Sequence, residues 1–244
     1  MAETTPSSGR SFVRPRGEER LNLASTRAAP LWVVAAVGYL VLEAFAAAGF
    51  EPAYSYARDY ISDLGLPSGR PVRGRTVYSP RGYLIHAAFY LQGILFLLGA
   101  SLILGVPDNR RARVFLGAVA GNAVGNVVIG TVHSGTVHVD GAALAILGGN
   151  AAILTGPDAI RTLAEWRWYR LVSKALAALG FSSIAMLMVN STTMKTVLLP
   201  DGAWERASVY TIIAWQLLTA ACLMTRTSRG AAGSGSPLRP RPRR

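Results

Sequence analysis

Along the chain, apolar residues gather in six runs, and polar residues collect in the stretches between them. The runs are Pro30 to Phe50, Tyr83 to Leu104, Val114 to Thr131, Gly141 to Gly156, Leu171 to Asn190 and Ser208 to Thr225. A helix rises 1.5 Å per residue, so about 20 apolar residues cross about 30 Å of hydrocarbon. The pattern therefore predicts an all-α fold: a polytopic integral membrane protein with six transmembrane helices in one bundle, residues 30–225. Residues 1–29 and the basic stretch 226–244, which ends PLRPRPRR, read as disordered tails.

Between the first two runs lies EPAYSYARDYISDLG, Glu51 to Gly65. On a helical wheel Ala53, Ala57, Tyr60, Ile61 and Leu64 share an apolar stripe, and Ser55, Asp59, Ser62 and Asp63 a polar one. This predicts an amphipathic segment in the headgroup layer, anchored by Tyr54, Tyr56 and Tyr60 and ended by Gly65 and Pro67. On such a helix Asp59 and Asp63 stand about 5 to 6 Å apart and could share a cation, a proton or Arg58. Pro67 to Pro80 reads as a Pro, Gly and Arg loop. In the third run Gly117, Gly121 and Gly125 recur every fourth residue, a ridge that lets a neighbouring helix approach closely.

Composition agrees with a membrane protein: 51% of residues are hydrophobic, 16% are charged and the mean hydropathy is +0.31. The net charge of +12 resides mostly in tails and short loops beside the apolar runs, where it sets orientation. No aromatic-interleaved basic patch accompanies it, so nucleic acid is set aside as a partner. Of the 25 basic residues, 18 fall on the side of both tails and 7 on the other. The expected location is the cell membrane, with both termini cytoplasmic and Glu51 to Gly65 outside. The expected partners are the lipid bilayer and, through the basic tails, anionic lipid. Glu43 interrupts the first run, which is taken as an uncleaved helix rather than a signal peptide.

An ionisable residue among apolar ones marks a functional site or a buried hydrogen bond. Measured by helical rise from the outer end of its run, Glu43 lies about 12 Å deep, Gln92 about 13 Å, Asn126 and Asn122 about 9 and 15 Å, and Asn150 about 16 Å. Ser182 and Gln216 each fall at about 12 Å. Two readings of this polar layer stand side by side: a cavity opening outward beneath Asp59 and Asp63, and interhelical hydrogen bonds of about 0.6 kcal/mol each. The candidate ligand-binding residues are Glu43, Asp59, Asp63, Gln92, Asn122, Asn126, His138 and Asp140.

Three histidines, His86, His133 and His138, are too few for two facing haem ligand pairs. No cofactor is expected. Zinc remains the one metal possibility, with His133, His138 and Asp140 as candidate ligands near the outer face. The single cysteine, Cys222, precludes an internal disulfide or a Cys-x-x-Cys redox pair.

Three stretches carry a resemblance: YISDLG at Tyr60 to Gly65, SPRGYLIHAAFYLQGILFLLG at Ser79 to Gly99, and His138 opening the fourth run. Together they resemble the bacterial integral-membrane family catalogued as domain of unknown function 998, over roughly Leu31 to Thr225. The resemblance implies a multi-span helical membrane protein and carries no activity with it. His86 stands where that family is expected to have asparagine. The leading functional expectation is binding or transport of a small or lipidic ligand at an outward-facing polar pocket. The alternatives are a membrane-embedded, metal-dependent hydrolase at the outer leaflet and a non-catalytic assembly factor using the glycine ridge.

Overall fold

Where hydrocarbon replaces water, each backbone N–H and C=O must be bonded within its own segment, so an apolar run of this length folds as a helix. The computed structural model describes residues 16–67, 69–72 and 74–232, and it contains six such helices. They are α1 (Arg16–Ala47), α2 (Gly82–Leu104), α3 (Arg110–Thr131), α4 (Thr136–Ala159), α5 (Arg167–Thr193) and α6 (Asp201–Ala232). All six are long and apolar enough to cross a membrane. Every helix begins ahead of its apolar run, because polar residues supply the first turns. Asn109, for example, caps α3 by accepting from the Ala112 amide at 2.9 Å. Helix α1 extends back to Arg16, into part of the tail expected to be disordered; the helix-forming residues of 16–29 continue the turn. Residues 1–15 and 233–244, with the basic C-terminal tail among them, lie outside the described residues.

Each helix packs on its neighbours in the chain, and α6 closes the ring on α1 while also touching α4. The large apolar side chains left exposed fall at helical spacing on single faces. Examples are Val34, Val37, Val41 and Phe45 on α1 and Ile94, Leu98 and Leu102 on α2, faces suited to lipid.

The glycine repeat of α3 is not one uniform ridge. A side-chain carbon at Gly125 would run into the Ala145 and Gly141 backbone of α4, whereas one at Gly121 would meet only Leu144 Cδ1 at 3.5 Å, and one at Gly117 nothing within 4 Å. The reciprocal close approach comes from α4, where a carbon at Gly148 would sit 2.6 Å from the Asn122 nitrogen. The ridge is therefore used inside the bundle, between α3 and α4.

The bundle has two unlike ends. Both helix termini nearest the tails, with the connections 105–109 and 160–166, form the terminal end. The connections 48–81, 132–135 and 194–200 form the other, which the first of them straps across. Glu51 to Gly65 is not an amphipathic helix. It runs as irregular turns, and only Ile61–Gly65 is helical, as a short 3-10 turn. The following loop forms a hairpin, β1 (Arg70–Val72) with antiparallel β2 (Arg75–Val77), in which Val72 pairs with Arg75 and Gly74 takes a positive φ of 77°. Val77 is fully buried and fastens the hairpin to the strap.

Candidate functional site: a buried ion pair and a polar cavity beneath the strap

The strap holds its shape through its own acidic residues. Asp59 Oδ2 accepts from the Ser55 amide at 2.8 Å, and its other oxygen pairs with Arg75. Asp63 Oδ2 accepts from the Tyr60 amide at 2.9 Å, closing the 3-10 turn. Both aspartates are buried, each completing a different turn instead of sharing one polar helix face. Burial also sets the strap's tyrosines: it holds the Tyr54 and Tyr56 phenols above their usual range, so both remain protonated.

Helix α6 grips the strap from below. Its first residue, Asp201, accepts from Tyr60 Oη at 2.9 Å, the Ala203 amide donates to Ala57 O at 2.9 Å, and Glu205 Oε2 accepts from the Ile61 amide at 2.6 Å. Arg206 then reaches up into the turns. Its Nη1 donates to the carbonyls of Tyr56 (2.7 Å), Asp59 (2.8 Å) and Gly202 (3.2 Å), and its guanidinium lies 5.1 and 4.9 Å from the Tyr54 and Tyr56 ring centres. Its Nη2 donates to Tyr54 Oη and to Glu43 Oε1, the latter at 3.1 Å, and Tyr210 Oη donates to Glu43 Oε2 at 2.8 Å. Glu43 is 1% exposed and Arg206 6%. A buried carboxylate requires such a partner, because desolvating it alone costs several kcal/mol.

Sequence reasoning found Glu43 but not its partner. The sixth apolar run begins at Ser208, after Glu205 and Arg206, whereas helix α6 begins at Asp201 and carries both charges. The available signal was Glu43 itself, since a buried carboxylate needs a cation and Arg206 borders an apolar run at the same end.

Below the strap, α1, α2, α3, α4 and α6 enclose a cavity of about 40 Å³, room for about three water molecules. Its polar lining is Tyr39, Gln92, Asn122, Asn126, His138 and Glu205, and the strap adds Ile61 and Ser62. Gln92, Asn122, Asn126 and His138 are thus brought together, whereas Glu43 is committed to Arg206 and Asp140 is exposed on α4 outside the lining. Asn122 Nδ2 donates to Ala145 O at 2.7 Å, Asn126 Nδ2 to Asn122 O at 2.9 Å, and Gln92 Nε2 to Gln216 Oε1 at 2.7 Å. Three buried atoms here have no hydrogen-bond partner: Gln92 Oε1, Asn122 Oδ1 and Gln216 Nε2.

The rest of the polar layer divides differently. Asn150 is fully bonded: its Nδ2 donates to Ile146 O (2.9 Å) and Ser208 O (3.0 Å), and its Oδ1 accepts from Thr211 Oγ1 at 3.0 Å. Ser182 is exposed, so α5 does not contribute it to the interior; the neighbouring Ser183 bonds back to Leu179 O of its own helix.

The histidines do not converge. His133 stacks on His86 with ring centres 3.9 Å apart and planes 4° from parallel, His86 Nε2 faces Gly65 O at 3.0 Å, and His138 Nδ1 faces Val132 O at 2.6 Å. Among the described residues no three His, Cys, Asp or Glu side chains form a set that could hold a metal ion.

Fold and site together define a multi-pass helical membrane protein with a polar interior at one end. A model of the family described as protein of unknown function (DUF998) matches residues 33–222, and the chain belongs to that family. No curated protein and no solved structure matches it.

Proposed function

We propose that this protein binds a small polar ligand, or the polar part of a lipid, in the cavity beneath the strap, and that the ligand arrives from outside the cell. One observation carries this reading: Asn122 Oδ1, on a side chain 1% exposed, has no partner beside a cavity that can hold one. Buried polar atoms in folded proteins are almost always bonded, so an orphan next to a cavity marks the position at which a donor of a ligand would bond.

The orientation rests on charge. With 18 of 25 basic residues at the terminal end, that end is placed in the cytoplasm and the strap outside the cell membrane. Three of the arginines on the strap side have local roles. Arg75 pairs with Asp59, Arg70 donates to Ser134 Oγ at 3.1 Å, and Arg81 donates to Phe45 O at 3.3 Å.

The test is to fill the cavity. Ala142, half-buried in its wall, replaced by phenylalanine should leave expression near native while abolishing complementation of a deletion strain. Full complementation by Ala142→Phe would overturn the reading.

A further inference from the structure

Resting on that cavity reading, the hydrogen-bond directions inside it specify the ligand further. A backbone carbonyl can only accept, so the amide nitrogens of Asn122 and Asn126 must face Ala145 O and Asn122 O, and the side-chain oxygens are the atoms left over. The same logic applies to His138. Because Val132 O can only accept, Nδ1 carries the hydrogen and donates to it. With Gln92 Nε2 donating to Gln216 Oε1, Gln92 Oε1 is a further acceptor without a partner. Glu205 lines the same space with a carboxyl group that takes one hydrogen bond from the strap, at Oε2.

Among the described residues no arginine or lysine lines the cavity. The guanidinium next to Glu205 in the chain, that of Arg206, is engaged by Glu43, Tyr54 and three backbone carbonyls. The orphan donor of this layer, Gln216 Nε2, belongs to a residue outside the lining, so the cavity offers amide acceptors and a carboxyl group, with the Tyr39 and Ser62 hydroxyls able to donate or accept, and the rings of Tyr39 and Phe89 complete its wall. An anion would meet no positive partner there. A group with several N–H donors and a positive charge would satisfy the orphan oxygens, face the rings favourably and balance the carboxylate. At about 40 Å³ the space fits an ammonium with few carbons.

We propose that the cavity takes a primary ammonium group, carried by a free amine or by a lipid headgroup, with Glu205 as counter-charge and Asn122 Oδ1 and Gln92 Oε1 as acceptors.

The experiment uses the full chain in detergent, with methylammonium chloride as the probe and thermal unfolding and calorimetry as readouts. Tetramethylammonium chloride, acetamide and sodium chloride serve as controls at matched concentration. Methylammonium should raise Tm saturably. Tetramethylammonium, which has the charge but no N–H, should not. Glu205→Gln should weaken methylammonium binding about tenfold or more, the scale of one hydrogen bond to a charged group. Should Glu205→Gln fail to fold, Gln92→Glu keeps the shape and adds a carboxylate, to which Gln216 can turn its unpartnered amide nitrogen, and should tighten binding about tenfold by the same reckoning.

Nanodiscs identify the source. If the ammonium belongs to lipid, phosphatidylethanolamine should stabilise the protein over phosphatidylcholine and leave methylammonium no further effect. If it is free, the methylammonium shift should be equal in both lipids. Stabilisation by acetamide alone, or unchanged affinity in both variants, would overturn the ammonium assignment and leave the cavity reading standing. Failure of all solutes to bind, together with full complementation by Ala142→Phe, would remove both.

Discussion

The two ends of this bundle solve the same packing problem in opposite ways. At the terminal end Trp215 of α6 sits at the centre of an aromatic cluster, with ring centres 5.6 Å from Trp32, 6.3 Å from Phe96 and 6.1 Å from Phe115. Both buried indoles are bonded, Trp32 Nε1 donating to Phe96 O at 3.1 Å and Trp215 Nε1 to Ser173 Oγ at 2.9 Å. At the strap end the interior holds a carboxylate, a guanidinium, a cavity and amide atoms without partners. One end has complementary rings at its core, and its polar pocket, with Asp108, Asn109, Arg161 and Thr162 in the lining, lies at the rim beside the connections; the other keeps desolvated polar groups among the helices themselves. The difference lies in the core of each half, aromatic at the terminal end and charged and amide-lined beneath the strap.

Trp215→Ala removes the centre of the aromatic cluster and should cost about 3–5 kcal/mol, the range for large core truncations. It should show as a large loss of folded yield or of Tm in detergent. A variant as stable as the native protein would mean that the terminal end is not the packed half.

Arg206→Leu comes next, at about 3 kcal/mol, because it leaves Glu43 buried without its cation while Tyr210 still donates to it. The double variant Glu43→Leu, Arg206→Leu should regain most of that loss, since paired removal leaves no orphan charge. If the double variant is no better than the single one, the loss comes from the carbonyls of Tyr56, Asp59 and Gly202 that Arg206 holds, and the strap rather than the ion pair is the stabilising unit.

A smaller effect separates two asparagines of the same polar layer. Asn150→Ala breaks three hydrogen bonds and should cost about 2 kcal/mol, whereas Asn122→Ala breaks one and relieves an orphan oxygen, so it should cost about 0.6 kcal/mol or less. Equal losses in thermal denaturation would contradict the division of the layer into structural and site residues.

Much of the architecture could be read in the sequence because lipid leaves the chain few choices. Apolar runs of about 20 residues must be helices, and six of them appear. Depth, computed from helical rise alone, brought Gln92, Asn122 and Asn126 to one level because rise is nearly invariant. What could not be read was rotation and partnership. Ser182 has the right depth but the wrong face. Asp59 and Asp63 were placed on a helical wheel, yet α6 holds the strap in turns through Tyr60, Ile61 and Arg206, contacts between residues some 140 positions or more apart in the chain. Those long-range bonds outweigh the local helical pattern. The glycine ridge was visible as a repeat, but only its Gly125 end meets a backbone, because two crossing helices approach closely at one level and diverge from it.

The most direct test asks whether the strap-end interior, and only that interior, is reached from outside. In a Cys222→Ser background, single cysteines replace Val209 in the cavity wall and Ala152 in the terminal-end core. Intact cells are treated with a small cationic methanethiosulfonate reagent, and modification is read by mass spectrometry. The account predicts that Val209→Cys is modified, that methylammonium slows this modification, and that Ala152→Cys stays unmodified. Modification of Ala152→Cys with Val209→Cys protected would contradict it.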